Sequence, residues 1–165
     1  MSSNGTTAEL AGDGLLTAQN RIAHELLGDW FLKPSIQAAW QPLPLEWFPD
    51  IRLREIAHAA NEGVRPDDLP LALSRNGSRA AWPHPADATD LLLQSATRAM
   101  PLDHLVAELR AAHERRRVRD ELYKLQHRLH TQPIDKTLQQ MDALRTDSIA
   151  ALHNESLIEP RPVTP

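Results

Sequence analysis

Beyond Gly77 the chain contains no glycine, and from Leu102 to Leu157 it reads as two long amphipathic helices separated only by Thr131-Gln132-Pro133. This pattern predicts a helical hairpin. In its first arm Leu102, Leu105, Val106, Leu109 and Ala112 recur at helical spacing, and Val118, Leu122, Leu125 and Leu129 resume it after an arginine run. Its second arm carries Ile134, Leu138, Met141, Leu144, Ile149 and Leu152. Two helices can hide one stripe against each other, so the remaining apolar positions must meet the preceding domain, another subunit or a different protein. A hairpin of this kind points to contact rather than chemistry.

With 165 residues the chain has room for one compact domain and an appendage. Leu and Ala dominate while Phe and Tyr are scarce, which favours helices over a sheet. The expected fold is therefore all-α, a small globular subdomain of about five short helices followed by the hairpin. The expected boundaries are a flexible N-terminal arm over 1–16, a globular subdomain over 17–101, the hairpin over 102–157, and a Pro-rich tail or linker start over 158–165.

Within the globular part Thr17 is placed to cap a helix bearing Ile22, Leu26 and Leu27, with Gly28-Asp29 near its end. Pro34 suits the first turn of a short helix reaching Trp40. Three prolines between Gln41 and Pro49 predict irregular chain anchored by Leu45, Trp47 and Phe48. Asp50 is the expected cap of a helix that ends at Gly63, and a further helix is expected over Asp68 to Arg75. After a loop holding Trp82, a fifth helix starts at Asp87 or Thr89 and runs to Met100. Trp47 is expected in the core, while Trp82 could be buried or exposed.

Several function classes are disfavoured. The chain has no cysteine, which removes disulfides and cysteine-based zinc sites. Met1 to Gly14 lacks the basic start and apolar stretch of a secretory signal, and no apolar run approaches the roughly 20 residues of a membrane span. A cytoplasmic protein without membrane contact is expected. No G-x-x-x-x-G-K-[ST] segment occurs, so no phosphate cradle and no ATP hydrolysis are expected. His127 and His130 lie one turn apart but lack an evident third ligand, so exposed helix histidines are the expectation and no metal site is assigned. No catalytic or cofactor-binding residue is assigned either.

The net charge of −4 weighs against a surface devoted to nucleic acid. Arg115, Arg116, Arg117 and Arg119 nevertheless form a local basic segment that could be a solvated face, a protein-docking surface or a DNA-backbone contact. The candidate association residues are Leu105, Leu109, Leu122, Leu125 and Leu129 on one arm, with Leu138, Met141, Leu144 and Leu152 on the other. Some of these must instead close the hairpin.

The order of these segments resembles the N-terminal collar domain of DnaB-type replicative DNA helicases. The segments carrying the resemblance are Arg21-Ile22-Ala23-His24-Glu25-Leu26-Leu27-Gly28 with Pro34 beyond, Leu43-Pro44-Leu45-Glu46-Trp47-Phe48, and Arg54-Glu55-Ile56-Ala57-His58-Ala59-Ala60 ahead of Gly63. The Leu91 to Pro101 helix and the long hairpin complete it. The resemblance implies an oligomerisation and docking module in DNA replication, lacking the motor, that dimerises and assembles as a trimer of dimers. Implied partners are the primase C-terminal domain, a helicase loader or a replicative helicase. Two alternatives stand beside it: a small helical DNA-binding protein using the arginine segment, and a free-standing factor that captures a host replicative helicase.

Overall fold

The computed structural model describes residues 6–75, 80–95 and 100–153. Every regular element among them is helical: α1 (Thr6–Leu32), α2 (Pro34–Ala39), α3 (Ile51–Asn61), α4 (Leu69–Arg75), α5 (Asp87–Ser95), α6 (Leu102–Arg128) and α7 (Ile134–His153), with 3₁₀ turns at Leu45–Trp47 and Pro66–Asp68. The all-α expectation holds. The chain divides into two compact units, one through Ala112 and the other from His113.

Residues 6–16, expected to be a flexible arm, belong to α1. Thr17 lies inside that helix and not at its start. Gly28 does not end it either, because Leu26, Leu27 and Trp30 are all buried around it. Burying those side chains outweighs the roughly 1 kcal/mol that a glycine costs in a helix. Asp29 fits the interior by pairing with Lys33 one turn on, at 3.0 Å. The true terminator is Pro34, which lacks an N–H and pushes Lys33 into extended backbone at φ −110 and ψ 108. The carbonyls left open at the end of α1 are taken by a side chain: Gln37 Nε2 donates to the Trp30 carbonyl at 2.9 Å and to that of Phe31 at 3.3 Å.

Local chemistry explains α3 at both ends. The Asp50 carboxylate accepts the Arg52 N–H at 2.8 Å, the N-cap expected from sequence. Gly63 leaves the helix at φ 77, a left-handed conformation that glycine adopts without penalty. Leu53, Ile56, Ala57, Ala59 and Ala60 face inward. Pro70 lies in the first turn of α4, where its missing N–H costs nothing.

The first unit has one core, in which Leu26, Trp30, Phe48, Leu53, Ile56, Leu69, Leu73 and Leu92 are fully or almost fully buried. Each is a residue whose truncation to Ala costs about 2–5 kcal/mol. The Pro-rich segment is held to this core by polar contacts. Gln19, fully buried in α1, donates to the Trp47 carbonyl at 2.8 Å. Asn61 at the end of α3 bonds Leu43 in both directions, accepting its N–H at 2.9 Å and donating to its carbonyl at 2.8 Å. The same Asn61 oxygen accepts the Trp40 indole N–H at 3.1 Å. Trp82 proves to be buried, with its indole N–H on the Arg52 carbonyl at 3.0 Å. Arg110 lies over the Trp47 ring, 5.4 Å from its centre.

The hairpin turn falls where expected, between Arg128 and Ile134. Gln132 locks it by donating to Thr137 Oγ1 at 2.7 Å and to Gln140 Oε1 at 2.9 Å. The boundary expected at residue 102 moves, because the first eleven residues of α6 belong to the first unit. The expected tail over 158–165 and the last residues assigned to the hairpin lie outside the described residues. So do residues 96–99 of the expected fifth helix.

Asn61→Ala is expected to lower the unfolding free energy by about 1–3 kcal/mol, because it strands three polar groups of the Pro-rich segment. Urea unfolding followed by tryptophan fluorescence checks this.

Candidate functional site

The second unit is built from little apolar material, and most of it is not covered. Among its described large hydrophobic side chains only Leu125 is buried, at 5% exposure. Leu122, Tyr123, Leu129, Ile134, Leu138, Met141, Ile149 and Leu152 are all exposed, Leu138 to 55% and Ile134 to 65%. Scattered exposed leucines are ordinary on a protein surface, whereas a contiguous apolar lining is not. Here the lining is contiguous: Val118 and Leu122 of α6 and Leu138, Met141, Leu144 and Ile149 of α7 form an open groove of about 540 Å³. Asp142, Arg145 and Ser148 complete its walls. A second groove of about 250 Å³ shares Leu144 and is mixed, with the charged and polar side chains Arg117, Glu121, Arg128, Gln140 and Asp147 around Leu125 and Ala143. The hairpin therefore presents one apolar and one mixed aspect.

The sequence-assigned association residues divide into four groups. Leu122, Leu138, Met141 and Leu144 line the apolar groove, while Leu129 and Leu152 are exposed outside it. Leu105 and Leu109 are not surface residues: they are buried in the core of the first unit together with Ala112, so their assignment to an interface is corrected. Leu125 is also corrected, because its side chain is spent closing α6 against α7 near Ala143 and Leu144. Val118, Asp142, Arg145, Ser148 and Ile149 were not assigned to the site from sequence. The signal for them was present in α7, where positions 138, 142, 145 and 149 repeat with coiled-coil spacing, but two of the four are charged.

The basic segment is not a uniform surface either. Arg117 bonds Glu114 at 2.9 Å and reaches across to Ser148 Oγ at 3.1 Å, so it ties the two arms together. Arg119 forks onto its neighbour Asp120, with bonds of 2.9 and 2.6 Å. Arg115 and Arg116 have no ion pair or hydrogen bond among the described residues. Only these two remain as candidates for outward docking. Lys124 meets Glu121 at 2.6 Å, and this hydrogen bond holds the Glu121 carboxyl below its usual range.

His127 packs edge-on against Tyr123 at 4.9 Å between ring centres. Among the described residues no group of three His, Asp or Glu side chains is arranged to hold a metal. No helix among them is long and apolar enough to cross a membrane.

One titratable cluster lies in the first unit. The hydroxyl of Ser95 donates to the Leu91 carbonyl at 2.8 Å, so the 3.2 Å contact to His24 makes Nδ1 the donating nitrogen. Burial lowers the His24 pKa below 6.5; Asp50 opposes that shift and Arg52 adds to it. Burial also works to raise the Asp50 carboxyl, but the hydrogen bonds and charge of Arg52 outweigh it and leave the group below 3.8. This arrangement supports the neutral imidazole as a packing element.

No family model matches the chain, and no curated protein or solved structure matches it either. The resemblance to helicase collar domains rests on the residue segments that carry it.

Two outcomes are expected. Because the folded-state pKa of His24 is depressed, its neutral form stabilises the protein fully above pH 6.5. That contribution falls away as pH drops below this value, well before Asp50 titrates. Urea midpoints measured between pH 7.5 and 5 should fall, and His24→Asn should flatten the slope. Leu125→Ala should loosen the hairpin by about 2–3 kcal/mol while Leu129→Ala, at a position exposed outside the groove, costs little, a contrast readable by circular dichroism during thermal unfolding.

Proposed function

We propose that the chain is a non-catalytic association module, in which a globular helical unit carries a hairpin that docks onto another helical surface. The observation carrying this reading is the apolar groove of Val118, Leu122, Leu138, Met141, Leu144 and Ile149 in the second unit, where Leu125 alone is buried among the described large hydrophobic side chains. Two such hairpins can complete a four-helix bundle, burying both grooves at once. The driving force is removal of apolar surface from water, about 25 cal/mol for each Å² buried.

In its particular form the proposal follows the helicase-collar resemblance: the module acts in DNA replication, self-assembles as a dimer or a trimer of dimers, and docks a primase C-terminal domain, a helicase loader or a replicative helicase. The order of a globular unit followed by a hairpin supports that form. A DNA-backbone role for the arginine segment gains less support, since Arg117 and Arg119 are engaged by Glu114 and Asp120.

Sedimentation of the purified chain at micromolar concentration should give a dimer or larger assembly that persists at high salt, because an apolar interface does not weaken as phosphate contacts do. Leu138→Glu combined with Met141→Glu should give a monomer of unchanged helicity. A parent chain that stays monomeric at all concentrations, and binds neither a DnaB-type helicase nor its primase in light scattering, would refute the proposal.

A further inference from the structure

Four residues of α7 line the apolar groove in a single stripe: Leu138, Asp142, Arg145 and Ile149. Their spacing is i, i+4, i+7 and i+11, which keeps them on one face along about 16 Å of helix. The stripe is symmetric about its middle, reading apolar, acidic, basic, apolar. Its two charged members are also unpaired. Neither the Asp142 carboxylate nor the Arg145 guanidinium has a hydrogen bond or ion pair among the described residues. In the same unit Glu114 with Arg117 and Glu121 with Lys124, at the same i, i+3 spacing, close to 2.9 and 2.6 Å.

We infer that Asp142 and Arg145 set the register and direction in which a second copy of this chain occupies the groove. The inference rests on the association reading above and specifies its geometry. Laid antiparallel about a two-fold axis between residues 143 and 144, α7 of one copy places Asp142 against Arg145 of the other, and Arg145 against Asp142. The same operation sets Leu138 against Ile149 on both sides, so the two ion pairs are flanked by apolar contacts that shield them from water. A parallel pairing in register sets Asp142 against Asp142 and Arg145 against Arg145, which repels. An antiparallel slip of one helical turn separates each charge from its partner and breaks the Leu138 to Ile149 match. The apolar lining supplies the affinity, and the charged pair selects one arrangement from those it would otherwise permit.

The test is a charge-exchange series measured by sedimentation equilibrium, with circular dichroism to confirm that each variant keeps its helices. Asp142→Arg leaves only positive charge at the centre of the stripe, and Arg145→Asp leaves only negative charge. Each variant alone should dimerise about tenfold or more weakly than the parent. An equimolar mixture of the two should recover association as a heterodimer, and the double variant D142R/R145D should recover a homodimer because the exchanged charges meet again. Single variants that dimerise as tightly as the parent would overturn the inference while leaving the association reading intact. A monomeric parent would overturn both.

Discussion

The rest of the structure turns on a limit of geometry: two antiparallel helices can cover only the stripes they turn toward each other. In this chain the seam of the hairpin is spent on Leu125, with Leu144 half-buried beside it, and is reinforced by the Arg117 bond to Ser148. Everything else apolar on α7 faces outward, and eight large hydrophobic side chains between Leu122 and Leu152 remain exposed. A surface of that kind favours association in water, because covering it releases free energy at little further conformational cost to helices already formed.

The globular unit is organised on the opposite principle. Most of its described large apolar side chains are inside, Leu16, Leu32, Ile51, Leu71 and Leu93 excepted, and the Pro-rich segment that could have been loose is pinned by Asn61, by Gln19 and by the Trp40 indole N–H beside it. Buried polar side chains that find partners fix one arrangement of backbone where apolar packing alone would permit several. The unit encloses a core of its own while the described part of the hairpin buries little, which is why the functional reading falls on the hairpin.

How far the sequence foretold this depends on whether a feature is local. The Asp50 cap, the Gly63 exit and the break before Ile134 were legible because each depends on a few adjacent residues. The extent of α1 was not, since Gly28 looks like a terminator until the burial of Leu26, Leu27 and Trp30 is known. The roles of the α6 leucines were equally hidden: Leu105, Leu109, Leu122 and Leu125 share one periodicity but answer to three different surroundings, a globular core, a solvent-facing groove and a hairpin seam. Periodicity identifies a face without naming what covers it. Asp142 and Arg145 were missed for a related reason, because charges within an apolar repeat read as interruptions until the groove they line is seen.

The most direct measurement is amide hydrogen exchange across α7 at low and high protein concentration. If the groove is covered by association, exchange between residues 138 and 149 slows as concentration rises while exchange in α3 stays constant, since only the hairpin gains stability from assembly. Exchange in α7 that is the same at every concentration would contradict the account.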